Sequence, residues 1–471
     1  MTTSLPPSNY YLSHDTDPQE DVLRSISRSA AVVRKHGTVV LIVPPSPQIP
    51  TPGREFLVTG PFEGFTYIAT VIKKMGYSLK VIDCRLKSDH ERWVLEGVKD
   101  AHIVGIATYC DSFIFLQEIT RAIKARYPEK GIFFGGPLVT SLPEVLLKHT
   151  EADCAILGEG ELTLIEFLQE YFRSGMVAFK TIKGMAYKDN GKVVINPPRP
   201  QIKDLDNLPH LDYTVWPNYD EILKNGQILI SSMRGCPQEC SFCFKTIPGL
   251  RLKSLERFEE EVAHLKKETG FDYTWLNDLT FNVIEERAIG ICKILKKHGV
   301  RYHCFARVQK VTEKLVAVLK ETGCLGIWFG IESCDQHVLD QNRKNIKVRE
   351  IDHAVKVAQD RGLAVRGLFI VGLYGETERS LKEMVAFIKK SRFLPLVKYL
   401  VPFPGTSLYH YGVKTGKITD TLAFLKMLSL RKVSDHDDEI INLTDLSEET
   451  LRDYFHQVWS ITKERESCYE S

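Results

Sequence analysis

Apolar and polar positions along this chain fall into two long alternating series. From Thr38 the β-branched run TVVLIV (Thr38–Val43) ends at Pro44-Pro45, a strand followed by a breaker loop. Behind it come helix Phe65–Gly76, strand Leu79–Val81, helix Glu91–Val98, strand Ile103–Ala107 and helix Phe113–Tyr127. Strand Ile132–Phe134 runs into Gly135-Gly136-Pro137, then helix Leu142–His149, strand Cys154–Leu157 and helix Leu162–Phe172. Five short apolar strands alternating with helices predict an α/β domain with a parallel, doubly wound sheet of the flavodoxin-like (Rossmann-like) kind. Such a sheet takes its ligand at the carboxyl ends of its strands. The loops there, Pro44–Gly53, Thr108–Ser112, Gly135–Thr140 and Gly158–Glu161, are rich in Gly and Pro. That composition lets backbone approach a bulky ligand, and equally it ends strands in any such fold.

Ahead of this series, residues 1–36 are a polar lead-in with one amphipathic helix near Val22–Val33. Behind it, Thr181–Pro217 reads as a hairpin and linker, with a turn at Asp189-Asn190-Gly191. The second series then begins, with strands Ile228–Ser232, Tyr273–Leu276, Tyr302–Ala306, Gly326–Phe329, Val365–Val371 and Val397–Val401. Helices Leu255–Thr269, Ile284–His298, Glu313–Thr322, Ile351–Arg361 and Ser380–Lys390 lie between them. Six β/α repeats fall short of the eight of a closed barrel, so a partial (β/α)6 TIM-type barrel is expected, with its chemistry at the strands' C-terminal ends. A helix over 418–433, an acidic loop Ser434–Glu439 and an amphipathic helix Ser447–Glu464 finish the chain. In the last of these, Leu451, Tyr454, Phe455, Val458 and Trp459 make one apolar stripe, as in a lid or brace. The expected domains are therefore 1–36, 37–178, 179–225, 226–410 and a small helical segment 411–471.

Composition narrows the function classes. Hydrophobic residues at 43% and charged residues at 26% are those of a folded globular chain, which excludes a disordered or fibrous one. With 62 Lys+Arg against 60 Asp+Glu the formal charge is +2, so no nucleic-acid partner is expected. The opening MTTSLPPSNYYLSHDTD lacks a basic stretch leading into an apolar run, and no 18 apolar residues run together. A cytoplasmic protein, not integral to a membrane, is the expectation. The 11 cysteines then read as reduced thiols, some of them metal ligands.

Three of those cysteines stand apart. SSMRGCPQECSFCFKTIPG sets Cys236, Cys240 and Cys243 as C-x3-C-x2-C directly after a strand, where a barrel places its chemistry. Three thiolates on one loop can hold three irons of a [4Fe–4S] cluster and leave the fourth open to another ligand. A closed zinc site wants four ligands, and no neighbouring Cys or His supplies the fourth; His264 or a distant Cys could still do so, and buried free thiols are common.

This motif, with Phe242 before its last cysteine and leading a (β/α)6 series, resembles the radical S-adenosylmethionine (SAM) superfamily. The resemblance implies a [4Fe–4S] cluster whose open iron is chelated by SAM, and reductive cleavage of SAM to methionine and a 5′-deoxyadenosyl radical. It implies SAM contacts from Phe242, from Asn277 and Asp278 after the second barrel strand, from Arg307 at the third strand end, and from Glu332 in Gly330-Ile331-Glu332-Ser333. Asn277 stands where an acid is usual, and Gln309 likewise. GLYGET (Gly372–Glu376 and Thr377) and PFPGTSLY (Pro402–Tyr409) are similar to further family segments. The competing reading of Asp278 and Glu332 is an ordinary surface or capping carboxylate, and of the glycine segments, turn chemistry.

A sheet domain before such a barrel resembles the class B, cobalamin-binding radical SAM enzymes, from about Thr38 to Tyr409, with GGPLVTSLPEVLL, ADCAILGEGELTLIEFL and NPPRPQIKDLDNLPHLDY as the matching segments. The resemblance implies cobalamin against Thr108, Tyr109, Gly135, Gly136, Gly158 and Glu159; loop packing is the competing reading of Tyr109 and of Asp111. The Asp-x-His-x-x-Gly motif that gives cobalt an imidazole elsewhere is missing, as it commonly is in this class. The implied activity is C-methyl transfer from methylcobalamin to an unactivated carbon of a small molecule or lipid, with an electron donor such as flavodoxin or ferredoxin. Alternatives are a cobalamin radical SAM cyclase or rearrangement enzyme of the tetrapyrrole kind, and a tRNA methylthiotransferase using Cys84, Cys110 and Cys154 for a second cluster. A cluster-bearing sensor without catalysis is a further reading. The resemblance assigns no catalytic side chain.

Overall fold

The computed structural model describes residues 17–28, 37–45, 60–245, 247–431 and 440–469. The expected Pro44–Gly53 loop beyond Pro45, the end of the Val22–Val33 helix and the Ser434–Glu439 loop lie outside them. The chain forms two compact units.

In the front unit, near-continuous apolar runs make strands because helices cover both faces of a parallel sheet. The strands are β1 (Thr38–Val43), β2 (Ser78–Asp83), β3 (Ile103–Ala107), β4 (Gly131–Gly135), β5 (Cys154–Ile156), β6 (Met185–Asp189) and β7 (Lys192–Ile195), in spatial order β2-β1-β3-β4-β5-β6-β7. The first five are parallel and follow the flavodoxin order. The expected free hairpin instead extends this sheet. Asn190 and Gly191 both take positive φ (49° and 79°), as a type I′ turn needs, and β6 pairs antiparallel with the otherwise open edge of β5. Ile42, Ile82, Val104, Phe113, Ile132 and Phe134 lie in the core. Helix Leu142–His149 is revised: helices Pro137–Ser141 and Pro143–Lys148 replace it, each with proline in its first turn, where a missing N–H costs nothing. Helix Thr421–Leu430, late in the chain, belongs to this unit: Leu425 is buried in its core and Ser429 Oγ accepts from Ile114 N (3.3 Å).

The second unit is built on β8 (Leu229–Ile230), β11 (Tyr273–Leu276), β12 (Arg301–Ala306), β13 (Cys324–Glu332), β14 (Ala364–Val371) and β15 (Leu394–Tyr399). All are parallel and follow one another in chain order across the sheet. This is the expected six-stranded partial barrel. The strand expected over Ile228–Ser232 is shorter, because the chain leaves the sheet after Ile230. It then forms a separate antiparallel ribbon of β9 (Met233–Gly235) with β10 (Leu250–Leu252). Helix Glu448–Tyr469 braces the β15 edge: Tyr399 and Phe455 stack (4.1 Å), and Thr462 Oγ1 donates to Pro395 O (2.9 Å).

Candidate active site

The cysteine loop is pinned at its base and at its tip. At the base, Gly235 pairs with Leu250 and Met233 with Leu252. Gly235 has φ +80°, and a Cβ there would stand 2.3 Å from Gly249 O, so only glycine permits this closure. At the tip, Ser241 N donates to Asn342 O (3.0 Å), Ser241 Oγ to Asn342 Oδ1 (2.9 Å), and Leu408 N to Ser241 O (3.2 Å). Asn342 is itself fully buried, its amide donating to Val338 O and Tyr374 O (both 2.8 Å). Cys236, Cys240 and Cys243 are all partly exposed. Burial, and then the charges of Cys240 and Cys236, push the Cys243 thiol up to about 11, while Lys245 and Lys344 pull the other way. The three sulfurs thus share one electrostatic environment. Among the described residues no three Cys, His, Asp or Glu side chains are gathered around a single ion position. Three thiols on one loop that act on one another electrostatically are the donor set an iron–sulfur group takes, so the loop fits one.

Asp278 is the residue that sets this loop. Its carboxylate is fully buried and accepts from Ser232 N (2.7 Å), Ser232 Oγ (2.7 Å) and Met233 N (3.2 Å). Ser232 O in turn accepts from Lys253 N (3.0 Å) and Arg287 Nη2 (2.9 Å), and the Lys253 ammonium makes a buried ion pair with Glu261. So the carboxylate fixes the turn between β8 and β9 that delivers the cysteines. Asn277 beside it has an exposed side chain at the strand end. The buried Thr280 hydroxyl lies 3.4 Å from Cys236 Sγ.

At the end of β13 a bulge between Gly330 and Glu332 shifts the register, and Glu332 takes φ +68°, in the left-handed region. This turns its carboxylate onto Lys344 Nζ (2.8 Å), with both side chains largely buried. A Cβ on Gly330 would lie 2.7 Å from Glu332 Oε1 and 2.9 Å from Lys344 Nζ, so the glycine makes room for the pair. Lys344 Nζ also stands 5.8 Å from the Phe242 ring centre, which joins the cysteine loop to this pair. Arg307 donates to Gln309 Oε1 (3.1 Å), to Lys344 O and to Asn345 O (3.3 Å), while Asn282 ties its backbone (3.0 and 2.8 Å). Phe242, Arg307 and Glu332 therefore converge through Lys344, and Asp278 acts on the loop from the other side. In GLYGET, burial pushes the Glu376 carboxyl up to about 8 although Gly372 N donates to it (2.6 Å).

Ser232, Thr280, Asn342 and Lys344 escaped sequence reasoning. Ser232 and Thr280 lie two and four residues past a strand end, whereas Asn342 and Lys344 follow the short helix Gln336–Gln341, where the sequence carries no signal for them.

In the front unit, the strand ends of β3, β4 and β5 bring Thr108, Gly135, Gly136 and Gly158 to one edge. Gly136 has φ +108° and would put a Cβ 3.0 Å from Thr108 O, whereas Cβ atoms at Gly135 and Gly158 would meet nothing within 4 Å. A cradle that side chains would fill is what a large flat cofactor needs, so these residues fit cobalamin. Thr108 and Glu159 brace the cradle: Thr108 Oγ1 donates to Gly135 O and accepts from Val139 N (both 3.0 Å), and Glu159 accepts from Ile202 N (3.0 Å). Tyr109 packs on Phe62 (4.9 Å), and burial raises its phenol above the usual range. Burial pushes Cys84 and Cys110 up to about 12 and Cys154 well above an ordinary thiol.

A cradle-edged flavodoxin-like sheet and a partial barrel whose first strand delivers three cysteines define a radical SAM enzyme with a B12-type front domain. The radical SAM superfamily model matches residues 230–388 and the B12 binding domain model residues 56–168. The uncharacterized methyltransferase PH0819 of Pyrococcus horikoshii is 30% identical over 387 residues, covering 80% of this chain and 83% of that protein. The anaerobic magnesium-protoporphyrin IX monomethyl ester cyclase of Rubrivivax gelatinosus is 27% identical over 345 residues, 70% of this chain and 62% of the cyclase. A likeness of fold comes from the radical SAM methyltransferase TsrM of Kitasatospora setae, solved with cobalamin and a [4Fe-4S] cluster. Its TM-score is 0.66 at 16% identity, over 90% of this chain and 82% of that one. The chain belongs to the cobalamin-binding radical SAM family and is an enzyme whose cofactors are a [4Fe–4S] cluster, SAM and cobalamin. Among the described residues no helix is long and apolar enough to cross a membrane.

Proposed function

We propose that this chain is a cobalamin-dependent radical SAM C-methyltransferase acting on a small molecule or lipid in the cytoplasm, reduced by a flavodoxin or ferredoxin. The observation that carries it is the closed loop of Cys236, Cys240 and Cys243 at the mouth of a partial barrel, in a chain that also holds a B12-type sheet. When bound, the cluster with SAM supplies a radical for hydrogen abstraction and cobalamin supplies a methyl carrier. Cys236, Cys240 and Cys243 hold the cluster and leave one position to SAM. Asp278 and Asn342 hold the loop in shape, and Asn277, Arg307, Phe242 and the Glu332–Lys344 pair border SAM. Gly135, Gly136 and Gly158 admit cobalamin, with Thr108, Tyr109 and Glu159 behind them. Kinship with the Pyrococcus methyltransferase supports methyl transfer; kinship with the Rubrivivax cyclase keeps ring closure as the second reading.

Anaerobic reconstitution with iron, sulfide and hydroxocobalamin, followed by metal analysis, tests the reading. About four irons and about one cobalt per chain are expected. Four irons without cobalt overturn the cobalamin assignment, and about eight irons point to the methylthiotransferase. Alanine at any of the three cysteines should remove iron and spare cobalt. Conversion of SAM to S-adenosylhomocysteine separates methyl transfer from cyclisation, which consumes no methyl group.

A further inference from the structure

The segment that fixes the cysteine loop also carries a hydroxyl to its first sulfur. Residues 278–282 are clamped at both ends. Asp278 accepts from Ser232 N, Ser232 Oγ and Met233 N, just ahead of Cys236. Asn282 donates to Arg307 O (2.8 Å) and Gln309 O (2.9 Å) and accepts from Arg307 N (3.0 Å). Thr280, midway between the clamps, is buried, as are Phe281 and Asn282. Its Oγ1 stands 3.4 Å from Cys236 Sγ and 2.7 Å from Leu279 O. From the other side, the backbone before Cys236 is fixed by Gly235, with its φ of +80° and its pairing with Leu250.

A hydroxyl has one hydrogen to give. With Cys236 as a thiol, the S–H donates to Thr280 Oγ1 and the O–H to Leu279 O. A cysteine binds metal as a thiolate, which has no hydrogen and, being charged, is a stronger acceptor than a carbonyl. The Thr280 hydroxyl is then the donor of this contact, and rotation about its own C–O bond is enough to bring the hydrogen from Leu279 O to Cys236 Sγ. Hydrogen bonds to the sulfurs are among the factors that set an iron–sulfur potential. One given by a buried hydroxyl acts at low dielectric, free of competing water. The reduced state carries the more negative sulfurs, so a donor there favours it.

We propose that Thr280 is a positioning residue that acts through Cys236: its hydroxyl donates to the Cys236 thiolate and raises the reduction potential of the cluster. The couple concerned takes up one electron from the flavodoxin- or ferredoxin-type reductant, and no bond to Thr280 forms or breaks. The assignment rests on the radical SAM reading above and adds to it the residue that sets how readily the electron enters.

Thr280→Val keeps the branched shape and removes the donor; Thr280→Ser keeps the donor. Midpoint potentials are read from the electron paramagnetic resonance signal of the reduced cluster, in an anaerobic redox titration of the iron- and cobalamin-loaded full chain without SAM. In Thr280→Val the equilibrium should move about tenfold toward the oxidised state, about 59 mV to more negative potential for a one-electron couple. Thr280→Ser should stay near the unaltered chain, and iron content should hold in both. An unchanged midpoint in iron-loaded Thr280→Val overturns the proposal, as does a serine variant shifted as far as the valine one. If Thr280→Val takes up no cluster, Thr280→Ala is titrated in its place with the same expectation. Loss of the cluster from both assigns the hydroxyl to assembly and overturns the tuning role. Failure of the unaltered chain to hold about four irons counts instead against the functional assignment.

Discussion

Removing the Asp278 carboxylate should cost the enzyme its iron before it costs the fold. The carboxylate accepts from two backbone amides, Ser232 N (2.7 Å) and Met233 N (3.2 Å), and from the Ser232 hydroxyl (2.7 Å), in a place closed to water. In Asp278→Ala the hydroxyl can turn to another acceptor, but both amides lose theirs. At about 1–3 kcal/mol for each buried unsatisfied donor, and more where the acceptor was ionised, the local penalty is about 3–5 kcal/mol. Asp278→Asn keeps an amide oxygen where both N–H groups point, and Ser232 Oγ can accept from the new NH2. Only the charge assistance is lost, about 1–2 kcal/mol.

The readouts are iron content after anaerobic reconstitution and hydrogen exchange at the Ser232 and Met233 amides. A local penalty near 3 kcal/mol accelerates exchange at those amides by about a hundredfold or more in the alanine variant, through opening of that turn alone. Iron content should fall sharply in Asp278→Ala and stay near normal in Asp278→Asn. Slow exchange and full iron in Asp278→Ala would refute the reasoning. Full iron with a large loss of SAM affinity in Asp278→Asn would instead put the carboxylate's charge on the ligand.

Three further perturbations test the same site. Gly235→Ala forces a Cβ to within 2.3 Å of Gly249 O at φ +80°; the β9–β10 ribbon should open and reconstituted iron should drop, measured by metal analysis. Lys344→Ala leaves the Glu332 carboxylate buried and unpaired, for a loss of about 3–5 kcal/mol in denaturant unfolding of the barrel unit, and the double variant with Glu332→Gln should recover most of it. Glu376 is held up to about 8 by burial, against about 4.3 in an unfolded chain. Between those values the folded state keeps the proton and the unfolded state releases it, so stability falls as pH rises through that window. Thermal midpoints from pH 5 to 9 should decline less steeply in Glu376→Gln, and parallel curves would show that Glu376 does not contribute.

The strands that are buried on both faces were legible almost to the residue. Thr38–Val43 and Ile103–Ala107 stand where the apolar runs put them, because a parallel strand covered on both faces reads as a near-continuous apolar run. Elements defined by their partner were not. The turn at Asn190-Gly191 announces a hairpin, but nothing in it says that β6 closes the edge of β5. The ribbon of Met233–Gly235 with Leu250–Leu252 is invisible for the same reason: three-residue strands carry no period, and their pairing follows from the close approach of Gly235 to Gly249. Gly136-Pro137 reads as a strand-ending loop, yet proline in the first turn starts a helix as readily as it ends a strand.

The site divides along the same line. Cys236, Cys240 and Cys243 could be read as a set because one loop carries all three, and their spacing is already a geometric statement. A strand-end carboxylate is different. Asp278 and Glu332 occupy equivalent places in the chain pattern, each just past or at the end of a barrel strand, and each was read as either a ligand contact or a cap. In the fold, Asp278 turns back onto the amides that lead into the cysteine loop. Glu332, at φ +68° beyond a bulge, turns onto Lys344 beside the Phe242 ring. The choice is made by backbone conformation and by residues brought from other strands. Spacing therefore finds the groups that must act together from one loop, and only the fold separates a carboxylate that shapes that loop from one that pairs with a lysine beside it.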